Sequence, residues 1–234
     1  RYASEYSVGW LTVAYAVLLL ATVGIFAAAD VVSFLIAWEL MTLASCALVA
    51  YEWRERTKVR AAVLMLAMSE FGTLAVMLAF ALAAYPTHSL SFADIARGAS
   101  TLSPFARLLI VLLSFFGFGV KAGILPFNAW LPRAYPAAPA IVAAVVAGAL
   151  VNCGVYGMLL VNLVLVPQGA LLFGVVALTF GSLSAIVGIL YATIDDDLKR
   201  MLAFSSIESI GIVVTALGAG AIFLAMRQRD LAEL

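Results

Sequence analysis

Four charged side chains stand inside long apolar stretches of this 234-residue chain: Glu39, Glu70, Lys121 and Glu208. Glu39 lies in Trp38-Glu39-Leu40-Met41-Thr42, Glu70 in Met68-Ser69-Glu70-Phe71-Gly72-Thr73, and Glu208 in Ser205-Ser206-Ile207-Glu208-Ser209. A charge near the middle of a bilayer-spanning helix costs about 2.5–3.5 kcal/mol on insertion scales, and such residues commonly mark an ion or proton path. Three carboxylates and one amine at that depth must pair or neutralise. Glu39 is the expected partner of Lys121, within salt-bridge or water-bridged reach. A carboxylate beside an amine favours its protonated form, and moving the carboxylate away lowers the amine's hold on the proton. A small displacement therefore loads or unloads the lysine. Pro126, five positions on, removes the hydrogen bond to the Ala122 carbonyl and clashes with that turn, so the helix is expected to break across Lys121–Pro126, with Gly123 inside the break. Irregular backbone at membrane depth survives only buried in protein or lining a wet cavity. The competing reading of all four charges is fixed interhelical glue.

The elements that must carry these residues read out of the hydropathy. The chain is 65% hydrophobic and 11% charged, with zero formal net charge, a composition of transmembrane helices that gives no sign of nucleic-acid binding. Seven spans are predicted: Val8 to Ala29, Val31 to Tyr51, Val59 to Tyr85, Pro104 to the break at Pro126 with a short continuation through Trp130 and Leu131, Ala138 to Val166, Ala170 to Thr193, and Met201 to Met226. A small polar helix is predicted between spans three and four, around Ala93 to Ala99. Arg54, Arg56, Lys58 and Arg60, then Arg133, then Lys199 and Arg200 fall on one side of an alternating chain, which the positive-inside bias places in the cytoplasm. Gly174, Gly181 and Gly188 recur on span six at a spacing that permits close helix contact.

Other motifs are sparse. Cys46 and Cys153 both fall in apolar runs and read as small buried side chains. The lone histidine, His88, sits in an outer loop. There is no HExxH, CxxC, glycine-rich phosphate loop or serine elbow, so no redox or hydrolytic centre is read in the chain. Lys199 follows Asp195-Asp196-Asp197 at the start of span seven, where a lysine ordinarily snorkels to the interface. The first residue is Arg1, and the chain reads as part of a longer polypeptide.

Three segments carry a resemblance. Phe118-Gly119-Val120-Lys121-Ala122-Gly123-Ile124-Leu125-Pro126-Phe127-Asn128-Ala129-Trp130-Leu131-Pro132, continued by Pro136-Ala137-Ala138-Pro139, closely resembles the broken seventh helix of the proton-pumping antiporter-like subunits. That superfamily comprises membrane subunits of respiratory complex I, the Mrp antiporters and the membrane arms of group 4 hydrogenases. Ala37-Trp38-Glu39-Leu40-Met41-Thr42-Leu43 is similar to its fifth-helix glutamate motif, and Asp197 to Gly211 to the segment joining helices nine and ten. The Ser-Ile-Glu at 206–208 is most similar to the hydrogenase-4 component B and formate hydrogenlyase subunit 3 branch.

The resemblance implies an all-α polytopic membrane fold, with residues 1–166 forming one five-helix repeat that contains the discontinuous helix and 167–234 beginning an inverted second repeat. It makes Glu39 the modulating carboxylate and Lys121 the central proton carrier, and adds Lys199, Glu208 and Glu70 as proton-path residues. Asparagine stands at Asn128, where the family often has histidine, and at Asn152, where many members carry a lysine. Asparagine does not titrate in the working range, so a polar cavity lined by Asn152, Ser205 and Ser206 is expected to connect Lys121 past Asn152 toward Glu208 and Lys199. The implied function is proton, or sodium, translocation in a redox-driven complex of a bacterial or archaeal cytoplasmic membrane. Other membrane-arm subunits and a peripheral redox module would be the partners, with the iron–sulfur clusters in those partners and no cofactor in this chain. The alternatives are an Mrp-type antiporter subunit or ion-coupled transporter partner, and a structural membrane subunit that does not pump.

Overall fold

Residues 6–232 are described by a computed structural model of the chain; Arg1 lies outside them, as do the first and last few residues of the two expected repeats. Among the described residues the fold is all-α, without strands. Nine helices follow in order: α1 Val8–Ala27, α2 Val31–Val49, α3 Arg56–Ala84, α4 Phe92–Gly98, α5 Pro104–Ala122, α6 Leu131–Ala137, α7 Ala140–Leu165, α8 Ala170–Ile194 and α9 Leu198–Ala232. Seven of these elements are long and apolar enough to cross a membrane. The two short helices, α4 and α6, are the polar loop helix and the far half of the broken span.

Capping explains where the spans start. Ser7 accepts from the Trp10 amide ahead of α1, and Asp30 from the Ser33 amide (2.9 Å) ahead of α2. Ser103 accepts from the Ala106 amide, with Pro104 at the first position of α5. These side chains satisfy N–H groups that a helix start leaves unpaired. Two predicted boundaries are corrected, the first of them by a cap. α9 begins at Leu198, not Met201, because the Asp197 carboxylate accepts from the Arg200 amide at 3.0 Å. α3 begins at Arg56, not Val59, and Lys58 in its first turn is held by Glu52 and Glu55.

α7 departs most from expectation. It contains two π-helical stretches, Val146–Leu150 and Leu160–Leu165. A π turn leaves carbonyls without their usual partner. Two asparagines supply donors there: Asn152 Nδ2 donates to Gly148 O at 2.8 Å, and Asn162 Nδ2 to Met158 O at 2.9 Å. No hydropathy pattern signals such a turn.

Two features fix the topology. Asp30 pairs with Ser91, and Val31 N donates to Leu90 O at 2.9 Å, joining the α1–α2 and α3–α4 links at one end. At the other end Arg60, Arg133 and Arg200 line a common cavity, so the three basic loops do share a side. The core between α2, α3 and α5 is aromatic: Trp38 and Phe118 meet edge to face at 5.2 Å, with Phe34 and Phe80 against them.

The predicted glycine contact holds between α8 and α9. A Cβ on Gly181 would stand 2.7 Å from Thr215 N, one on Gly188 2.6 Å from Glu208 N, and one on Gly174 2.8 Å from Gly218 O. Backbone atoms of α9 fill those spaces, joined by Thr215 Oγ1 at Gly181 and Ile222 Cγ1 at Gly174. Gly181→Leu is therefore expected to part α8 from α9 and to lower stability by about 1–3 kcal/mol or more. A melting curve in mild detergent checks it; an unchanged midpoint would contradict the packing described.

Candidate functional site

Lys121 lies in the last turn of α5, 1% exposed. Its Nζ donates to Thr42 Oγ1 of α2 at 2.8 Å and to Ser69 Oγ of α3 at 3.1 Å. It also stands 5.5 Å from the Trp38 ring, within cation–π range. Trp38 is itself fixed, donating from Nε1 to Thr73 Oγ1 at 3.1 Å, and its carbonyl accepts the Thr42 hydroxyl at 2.8 Å. That bond uses the Thr42 proton and turns an oxygen lone pair toward the amine. A three-helix clamp results.

Of the two forms expected for the pairing with Glu39, the direct salt bridge does not form among the described residues. The amine is satisfied by two hydroxyls, and no salt bridge to Lys121 occurs among the described residues. Glu39 is half-buried, and its Oε1 is enclosed without a hydrogen-bond donor. Glu70, also half-buried, interacts with both Glu39 and Lys121, and Glu39 acts on Lys121 as well. The three charges thus form one electrostatic cluster in which the lysine stands off from the carboxylates. Thr42 and Ser69 were not singled out as site residues from sequence, although Thr42 follows Glu39 by three positions and Ser69 immediately precedes Glu70. The three-residue spacing puts Thr42 on the same face of α2 as Glu39, whereas Ser69 and Glu70, being successive, point about 100° apart.

The break beside Lys121 is made by glycine. Gly123 has φ 69° and its N–H bonds to Val120 O, while Ile124 N reaches back to Gly119 O at 3.2 Å. Those two bonds constitute a Schellman stop. The helix therefore ends at Ala122, four residues ahead of Pro126, which accompanies the break but does not terminate α5. Other groups pair with the irregular segment: Trp130 Nε1 donates to Val120 O at 2.7 Å, and Leu125 N donates to Ser184 Oγ of α8 at 2.9 Å. Asn128 opens the 3₁₀ turn Asn128–Trp130 that leads into α6. The continuation past the break runs to Ala137, further than the Leu131 expected.

A second polar region lies between α6, α7 and the start of α9. A cavity of about 480 Å3 is lined by Tyr135, Asn152, Lys199, Ser205, Ser206 and Ser209, with alanines of α7 and with Leu202, Ile210 and Val213 of α9 making much of its wall apolar. Lys199 Nζ donates to Ala138 O at 2.7 Å, and Tyr135 OH to Ser206 Oγ at 3.2 Å. This is the expected cavity in part. Asn152, Ser205, Ser206 and Lys199 meet there; Lys121, Glu208 and Asn128 do not line it. The reason is rotational: successive residues on a helix point about 100° apart, and Ala122 faces Gly154 of α7 while Lys121 faces α2 and α3. Glu208 sits where α9 presses on Gly188 of α8.

A buried amine in a clamp of hydroxyls, two carboxylates beside it and a helix that stops within a turn of it make up the candidate site of this all-α membrane chain. Residues 28–227 match the family described as NADH:quinone oxidoreductase/Mrp antiporter, transmembrane, and the chain belongs to that family. It is 37% identical over 195 residues to hydrogenase-4 component B of Escherichia coli K12, covering 82% of this chain and 29% of that protein. Its fold is similar to a chain of an archaeal respiratory complex, the membrane-bound sulfane sulfur reductase, with TM-score 0.80 and 27% identity over 88% of this chain and 42% of the other. It is likewise similar to a chain of the Mrp complex from Dietzia sp. DQ12-45-1b, with TM-score 0.78 and 29% identity, covering 87% of this chain and 22% of that one. The chain thus spans under a third of the hydrogenase-4 component B length.

Proposed function

We propose that this chain is an ion-translocating membrane subunit, moving protons (or sodium) in a redox-driven complex of a bacterial or archaeal cytoplasmic membrane. The observation that carries the reading is the fully enclosed Lys121 amine at the break of α5, held by neutral hydroxyls with Glu39 and Glu70 close by. An amine bound only to hydroxyl oxygens can give up its proton without leaving a carboxylate unpaired at its contact. Approach of Glu39 would favour the loaded form and withdrawal the unloaded one. Lys121 is then the carrier and Glu39 its modulator, with Glu70 as a second acceptor. Lys199, Asn152, Ser205 and Ser206 line the route beyond, with Glu208 flanking it. Residues 1–166 would form one five-helix repeat and 167–234 the start of its inverted counterpart. Other membrane-arm subunits, and a peripheral module carrying the iron–sulfur clusters, would supply the driving event, as the likeness to the hydrogenase and sulfur-reductase proteins suggests.

The test is ion movement by the intact complex in proteoliposomes, read with an internal pH dye and a sodium indicator. Turnover without movement of either ion would sink the reading. Glu39→Gln is expected to lower flux with electron transfer retained, because the amide holds no charge to favour the loaded lysine. Asn152→Lys is expected to preserve or raise flux, and Glu208→Ala to depress it. The likeness to the Mrp complex favours one second reading, cation/proton exchange without a redox partner. Sodium-driven proton movement in the absence of any electron donor would select it.

A further inference from the structure

A cavity of about 320 Å3 opens at the basic end of the bundle, between the first turns of α3 and α9 and the turn of α6. Its walls include Thr57, Arg60, Leu64, Pro132, Arg133 and Arg200. Three guanidinium groups from three separate elements therefore face one space. Among the described residues neither Arg60 nor Arg133 has a carboxylate at salt-bridge distance: the ion pairs are Lys58 with Glu52 and Glu55, Arg97 with Asp94, and Arg200 with Asp195. Lys58, close by along α3, is thus already committed and contributes little. Arg200 donates to Asp195 from Nε and Nη2 (3.1 and 2.9 Å), which leaves Nη1 for a further acceptor. The carboxylate also keeps that guanidinium from swinging away.

We propose that this cavity binds the phosphate group of an anionic phospholipid. Arginine's planar fork suits phosphate oxygens, and basic pockets between membrane helices at the cytoplasmic side commonly hold anionic head groups. The lining grades in the required direction. Leu64, one turn further along α3 than Arg60, and Ala61 beside that arginine offer an apolar wall to the glycerol and first acyl methylenes. Free phosphate would share the arginines but not that wall, so the lipid is the favoured source. The site lies apart from the Lys121 clamp and does not depend on its role.

The experiment uses the full chain in mild detergent and reads lipid retention by native mass spectrometry alongside the melting midpoint. Phosphatidylglycerol is expected to bind and to raise the midpoint more than phosphatidylcholine, whose choline cancels the charge. Arg60→Gln and Arg133→Gln are each expected to weaken phosphatidylglycerol binding roughly fivefold, while Arg97→Gln at the opposite end changes nothing. Equal binding of the two lipids would overturn the proposal, as would retention of phosphatidylglycerol in the double variant Arg60→Gln/Arg133→Gln. Saturation by inorganic phosphate with the same affinity would overturn the lipid assignment. Should a glutamine variant not fold, Arg60→Lys and Arg133→Lys keep the charge but lose the fork, and the wild-type lipid selectivity still decides the outcome.

Discussion

Lys121→Ala is expected to abolish ion movement while leaving the chain folded and assembled. Lys121 is 1% exposed; its amine hydrogen-bonds to the hydroxyls of Thr42 and Ser69 and stands over the Trp38 ring. Removing it takes a buried charge out of an aromatic and aliphatic surround, and neutral replacements of buried ionic groups are often neutral or stabilising. The truncation also opens a cavity, which works the other way. Lys121→Met separates the two effects, since it keeps most of the volume and deletes the charge. Its melting midpoint should equal or exceed that of the parent, with flux still absent. Thr42 and Ser69 remain small and hydroxylated in both variants, and the Thr42 bond to Trp38 O survives, so the surrounding helices keep their register. Flux at the parent level in Lys121→Met would reduce the residue to interhelical glue.

The number of spans and the identity of the buried charges were legible because apolar length and an intramembrane charge are strong signals on their own. Handedness of approach was not. Sequence offered Glu39 as the obvious counter-charge for Lys121, since opposite charges attract in any arrangement. Which of two neighbouring polar groups actually reaches the amine depends on helix rotation, and there Thr42 and Ser69 prevail. A hydroxyl also enters the interior at far lower desolvation cost than a carboxylate, so a site can bring it closer. The two π stretches in α7 were invisible for a related reason: their stabilising asparagines, Asn152 and Asn162, look from sequence like isolated polar residues in an apolar span. The sequence presents Asn152 as a non-titrating residue lining a polar cavity; in the structure it lines the cavity of Lys199, and its amide also supports the Gly148 carbonyl, which no sequence pattern signals.

Gly123→Ala is expected to damage both stability and transport, by a route the proline-centred reading of the break would not give. Gly123 holds φ 69°, where an alanine costs about 1–2 kcal/mol. A Cβ there would also stand 2.0 Å from Leu131 Cδ1, and Leu131 is fully buried. Moving that side chain within a packed core adds about 1–3 kcal/mol. Leu131 leads α6, and Trp130 beside it donates to Val120 O, so the disturbance passes straight to the last turn of α5 and to Lys121. The two contributions can be told apart. In Gly123→Ala/Leu131→Ala the clash is gone and only the backbone cost and the Leu131 cavity remain, so the double variant should be more stable than the two single effects added together. Simple additivity in denaturant or thermal melts would mean that Leu131 does not confine Gly123. A Gly123→Ala protein with parental stability would mean that the glycine stop is not what ends α5, and Pro126 would recover the role.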